Sequence, residues 1–279
     1  MKPNRMARKA CSVQSSLRRS PSRARSRHGR IALVALVAGA LGSYRANASG
    51  LDRDSLLTEA PAVPNAGTVR VSAGANGQPT GAADSGSTGG ISGNVLWAPF
   101  SRVSLDVGLY AQGADSGPTL RLRIQILKKE DVGLDLAIGA RFKEFGFFKK
   151  EGGGAPNGEF EYLLAVGHSF GPIDAMLDAV IGFEAGGPGS DLEGKAFVGY
   201  HLMRTLRVGA DARVQGEYKN ENGYKKPDLT NDVDIIAGPA VSWLVLNDKL
   251  QLQALAGVAK PKGAANASPG GLLALAFDF

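Results

Sequence analysis

The chain has 279 residues and a formal net charge of +6, but eleven of its 32 Lys and Arg residues and none of its 26 acids fall within residues 1–48. Taking 11 from 32 leaves 21 basic against 26 acidic residues in the rest of the chain, a net charge of −5. That excludes a nucleic-acid-binding body, which needs clustered cations to displace counterions from phosphate. The only cysteine, Cys11, lies in the same basic leader, so the remainder forms neither a disulfide nor a Cys-ligated metal site.

In chain order, the basic stretch runs into an apolar segment, Ile31 to Leu41, and then into small residues ending Ala46-Asn47-Ala48. Charged region, short apolar core and A-x-A site is the order of a secretory signal peptide, and the core is well short of the roughly 20 residues that cross a bilayer as a helix. Residues 1–48 are therefore expected to be a signal peptide cleaved after Ala48. Residues 49–66, ending Pro61-Ala62-Val63-Pro64-Asn65-Ala66, are too few for a globular domain and read as a linker.

From residue 67 onward short apolar segments alternate with period two. Val103, Leu105, Val107 and Leu109 interleave with Ser104, Asp106, Gly108 and Tyr110, and Leu120, Leu122, Ile124 and Ile126 with Arg121, Arg123 and Gln125. The same pattern recurs at 132–141 and 206–215, and it predicts strands with one apolar and one polar face. Strands are expected near 67–74, 90–98, 102–112, 118–127, 131–142, 158–168, 172–183, 192–202, 205–216, 232–245, 249–259 and 271–279. That makes about twelve, many of the roughly 9 to 11 residues that a tilted strand needs to cross a bilayer.

The connections between them alternate. Longer ones (75–89, 113–117, 143–157, 184–191, 217–231, 260–270) take turns with short ones at Pro99–Ser101, Lys128–Glu130, Ser169–Gly171, Met203–Arg204 and Leu246–Asp248. An outer-membrane barrel has short periplasmic turns and long extracellular loops, whereas nothing in a soluble meander enforces that rhythm. Trp97, Phe100, Tyr200 and Trp243 lie close to the short turns, and Phe277 and Phe279 close the last strand at the same end, as an interfacial aromatic girdle would. Pro239 conflicts with its strand, because it removes a ladder hydrogen bond; a bulge or a displaced boundary is expected there.

With its signal sequence, alternating strands, loop rhythm and terminal Leu273-Ala274-Leu275-Ala276-Phe277-Asp278-Phe279, the chain resembles the porin-like outer-membrane β-barrel proteins of Gram-negative bacteria. The resemblance implies an all-β, up-and-down transmembrane barrel over 67–279 and a periplasmic setting for 49–66. It also implies that the final strand and C-terminal Phe279 are the address read by the barrel-assembly machinery. A narrow channel for small polar solutes is the expected function. The alternatives are a structural or interaction barrel with a filled lumen and partner-binding loops, and a secreted soluble β-barrel carrying a ligand.

Enzyme chemistry finds little support, and no cofactor is expected. Acyl transfer needs a Ser beside a His, and the mature chain has only His168 and His201, both at short-turn ends and read as rim residues at the interface. His168 and Ser169 are neighbours, but successive strand residues point to opposite faces. The stretch Gly152 to Gly158 lacks the Gly-Lys-Ser/Thr of a phosphate loop. Asp228, Asn231, Asp232 and Asp234 offer oxygen ligands without EF-hand spacing, so no metal site is assigned. Lys143 to Lys150 and Lys219 to Lys226, with Tyr224 inside, mix cations with aromatics and are candidate contacts for outer-membrane lipid and lipopolysaccharide.

The alternation turns a charged set inward. Arg70, Arg121, Arg123, Arg141, Lys195, Arg207 and Arg213 stand against Asp106, Asp135, Glu159, Glu161, Asp174, Asp178, Glu193, Asp211 and Asp234. The signs nearly balance, which predicts a weakly selective lumen. A hairpin centred at Lys129 sets Arg123 opposite Asp135, and one centred at Met203 sets Lys195 opposite Asp211 and Glu193 opposite Arg213. Sliding the second hairpin by one inward pair faces Lys195 with Arg213, which like-charge repulsion disfavours.

Overall fold

The computed structural model describes residues 50–77, 89–112, 115–144, 158–185, 189–220, 223–224 and 233–279. The expected signal peptide lies outside them. A 3-10 turn, Gly50–Asp52, precedes strands β1 (Val69–Gly77), β2 (Gly89–Phe100), β3 (Val103–Gln112), β4 (Asp115–Leu127), β5 (Asp135–Glu144), β6 (Gly158–Phe170) and β7 (Ile173–Ala185). There follow β8 (Ser190–Met203), β9 (Leu206–Asn220), the two-residue β10 (Gly223–Tyr224), β11 (Val233–Val245), β12 (Leu250–Lys260) and β13 (Ser268–Asp278). Apart from β10, which only folds back on the end of β9, each strand pairs antiparallel with its neighbours in sequence, and β13 pairs with β1. The sheet therefore closes as a twelve-stranded barrel with no free edge, the arrangement that satisfies strand N–H and C=O groups in lipid.

The two faces of this barrel are inverted relative to a soluble protein. Val107, Leu109, Leu120, Leu164, Leu177 and Val198 are exposed on the outside, whereas Asp106, Arg123, Glu161, Asp178, Lys195 and Asp211 are buried within. A soluble carrier would put its apolar residues in the bore and its charges in water. An apolar exterior of this extent belongs against hydrocarbon.

Two connections differ from the expected rhythm. β3 and β4 remain paired up to Gln112 and Asp115, so residues 115–117 of the connection read as a long loop at 113–117 belong to β4. At the expected short turn Lys128–Glu130 the chain instead forms a helical turn, α1 (Lys129–Val132), ended by Gly133 at φ +79°, whose N–H donates to Lys129 O at 2.7 Å. The Asp135 carboxylate accepts the Lys129 N–H at 2.9 Å, and β5 consequently begins at Asp135 rather than 131. Pro239 causes no bulge. It faces Ala210 of β9, and the β11–β12 register is the same before it (Ala237 with Val258) and after it (Ala240 with Leu255).

All three expected inward pairings are corrected by the register. The α1 turn, together with an irregularity between Gln125 and Leu127, sets Arg123 opposite Gly139 rather than Asp135. An irregularity between His201 and Met203 slides β8 against β9 so that Lys195 faces Arg213, the like-charge arrangement, while Glu193 faces Gln215 and Asp211 faces Phe197. Arg121 and Arg141 also face each other across β4 and β5. Two cation pairs in one bore require anions from elsewhere.

Candidate functional site: the bore and the segment inside it

Part of that countercharge comes from residues 50–66, the expected periplasmic linker. The segment lies inside the barrel: Leu51, Ser55, Thr58, Glu59, Ala60 and Val63 are all buried. It doubles back on itself, with the Ala62 N–H donating to Leu51 O at 3.1 Å, and Leu51 and Ala62 pack with inward Met176 and Phe197. Leu56 and Leu57 pack on the same cluster. Pro61 and Pro64 keep the returning limb from adding a strand to a sheet that has no edge to offer.

Electrostatics fixes the segment against one wall. Glu59 lies 2.5 Å from Arg121, 3.6 Å from Arg141 and 3.4 Å from Lys195, between the two like-charge pairs. Its backbone N–H donates to Asp178 at 2.6 Å. Asp54 reaches Arg121 at 3.4 Å and Arg123 at 3.2 Å, and Arg123, 2% exposed, also donates to the Ala60 carbonyl. On β9, Asp211 accepts from Ser55 Oγ at 2.5 Å, Thr58 Oγ1 at 2.7 Å and the Leu57 N–H at 2.9 Å. Arg53 donates to Asp278 and to the Asp248 carbonyl, both at 2.7 Å, which ties the segment to the last strand and to a short turn.

The other charged positions pair along the strands. Asp106 accepts from Arg121 at 3.1 Å, Arg141 pairs with Glu161, Glu193 holds Lys195 at 2.8 Å, and Arg213 reaches Asp234 at 3.1 Å. Arg70 donates to Asp278 at 2.6 Å and to the Asp52 carbonyl at 2.9 Å. Asp135 binds Gln125 at 2.8 Å instead of Arg123. Lys143, expected at the outer leaflet, turns into the bore and pairs with Glu161 and, at 3.6 Å, Glu159. Residues 145–150 of that motif lie outside the described residues, as do 221–222 and 225–226 of the second and the cluster members Asp228, Asn231 and Asp232.

His201 is also corrected. It faces the bore and is buried, its Nε2 2.6 Å from Asp174, which further accepts from Ser169 Oγ at 2.7 Å and Arg207 at 3.2 Å. Ser169 therefore binds the carboxylate rather than the imidazole, which is not the geometry of an activated nucleophile. His168 lies on the other face, its ring 4.1 Å from that of Phe170. Trp97, Phe100, Trp243 and Phe279 are exposed on the outside, Tyr200 is half-buried, and the Phe277 and Phe279 rings meet edge to face at 4.8 Å. Nearer the long loops, Phe142 with Phe160 and Tyr162 with Phe183 place rings that the sequence reading left unassigned.

The segment does not fill the whole bore. Beside it, along β1–β3 and β12–β13, remains a cavity of about 290 Å³ lined by Ser72, Asn76, Ser92, Asn94, Gln112 and Gln253, with Arg70 and Asp54 at its floor. From Arg70 to Asn76 it follows seven residues of β1, roughly 20 Å of strand.

No family model and no curated protein matches the sequence. Among solved structures, the chain is similar to the NanC porin, with TM-score 0.53 and 7% identity over 76% of this chain and 100% of that one. An outer membrane channel from Pseudomonas putida F1 gives 0.49 at 10% identity over 78% and 97%, and the KdgM porin 0.47 at 12% over 75% and 99%. The likeness to the NanC porin speaks for the fold alone, a closed antiparallel β-barrel.

Proposed function

We propose that the protein is a narrow outer-membrane channel for small polar solutes in which residues 50–66 are a built-in constriction at the short-turn end. The observation that carries this reading is the cavity beside the segment, whose lining sets Ser72, Asn76, Ser92, Asn94, Gln112 and Gln253 among apolar residues of β1, β2 and β13. The apolar exterior and the rings at both ends support an outer-membrane location, and Phe279 is the proposed assembly signal. A bore that keeps a polar path while one wall is filled suits low conductance and weak ion selectivity.

A second reading, a structural barrel with a filled lumen, is favoured by the extent to which Asp54, Glu59 and Arg53 are paired with the wall. Planar-bilayer recording of the full-length secreted protein separates the two. The channel reading expects small, discrete conductance steps; a silent bilayer with correctly folded protein contradicts it.

A further inference from the structure

The two halves of the bore treat their polar groups differently. On the β4–β9 side every inward charge named above is paired with the wall or with the inserted segment. On the β1–β3 side the side chains of Ser72, Ser92 and Asn94 make no hydrogen bond with any described residue, and all three line the cavity. Their lining is neutral. Among the described residues, the only charges lining the cavity, Arg70 and Asp54, lie at its floor and are engaged by Asp278 and by Arg121 and Arg123.

Glycine on the adjacent strands makes room for these groups. A Cβ at Gly108 would stand 1.8 Å from Asn94 Oδ1, and one at Gly74 would stand 3.2 Å from Ser92 Oγ. Without side chains at those positions, the amide and the hydroxyl lie free along the wall. Each presents both donor and acceptor capacity to whatever occupies the cavity.

We propose that this neutral wall is the solute path, and that it selects uncharged, hydroxyl-rich solutes of about monosaccharide size. The inference rests on the channel reading and adds the substrate class. A hydroxylated solute exchanges its water for alternating amide and hydroxyl groups with its hydrogen bonds kept. A charged solute loses hydration in the same space and meets no free countercharge, because the floor charges are already paired. The cavity volume is close to the roughly 300 Å³ at which small-molecule sites begin, which limits the path to one small ring at a time.

The test is swelling of liposomes carrying the full secreted chain, with glucose, glucuronate and glucosamine as neutral, anionic and cationic probes of similar size. Glucose is expected to enter about tenfold faster than either charged sugar. Replacing Ser92→Asp together with Asn94→Asp puts free carboxylates on the wall and is expected to bring glucosamine level with or ahead of glucose; heat-modifiable migration on a detergent gel verifies that the variant is folded. Charged sugars entering wild-type vesicles as fast as glucose, or a folded double variant with an unchanged preference, overturns the inference while leaving a channel. Vesicles impermeable to all three sugars, with wild-type protein and with the Glu59→Ala variant alike, overturn the channel reading and the inference together.

Discussion

At the scale of single residues, Glu59 meets more of the wall's cations than any other described residue of the inserted segment. It is buried between Arg121, Arg141 and Lys195, three cations that face one another or Arg213 across the strands, and among the described residues no other carboxylate bridges both sets. Removing one member of a buried ion cluster leaves the others uncompensated, at a cost of about 3 kcal/mol or more. Glu59→Ala is therefore expected to shift the balance between the seated and the released segment by about two decades toward release. Trypsin reads this directly, because Arg53 is buried while the segment is seated. Cleavage at Arg53 should be slow in wild-type protein in detergent and fast in the variant, followed by intact mass; equal rates would show that Glu59 does not hold the segment.

None of this was visible in residues 49–66 alone. The stretch has no period of two or 3.6, and its prolines suggest a linker. A local charge count was the signal available. Arg121, Arg123, Arg141 and Lys143 crowd two neighbouring strands, and with Asp135 at the short-turn end of β5, bound to Gln125, the carboxylates left beside them, Asp106, Glu159 and Glu161, fall one short of balancing them. Balance over the whole bore concealed that local surplus.

At the scale of elements, strand identity and face were legible because apolar and polar residues alternate through nearly every strand. Register was not, since it depends on turns. The α1 turn consumes residues read as a short loop and strand, and it moves Arg123 four residues along β5 from the expected partner. On β8 and β9 the objection to a like-charge pair was physically sound for two isolated strands. It fails here because Glu59 and Glu193 hold Lys195 while Asp234 holds Arg213. Cysteine pairs test the register in a chain whose one native cysteine is Cys11. Ala196→Cys with Ala212→Cys are direct partners and should cross-link on oxidation. Ala196→Cys with Ala210→Cys should remain largely reduced, and the reverse pattern would restore the register expected from charge.

At the scale of the whole molecule, an even number of strands returns the C-terminus to the end at which β1 begins, with the short turns. An epitope inserted at Ala265, in the connection between β12 and β13, should be accessible to antibody on intact cells, and one at Lys129 should not. Labelling at Lys129 alone would invert the topology. Barrel, girdle and inside-out polarity all follow from strand patterning and turn chemistry. The filled wall follows from a segment that carries its own countercharges into the lumen, leaving the neutral wall open.

The most direct measurement is single-channel conductance of the wild-type protein against a variant lacking residues 50–63, both verified as folded barrels by heat-modifiable migration. If this segment fills the charged half of the bore, its removal opens that half. The account predicts small wild-type steps and severalfold larger steps in the variant, with selectivity now governed by the exposed Arg121, Arg123, Arg141 and Lys195. Equal conductance in the two proteins would contradict it.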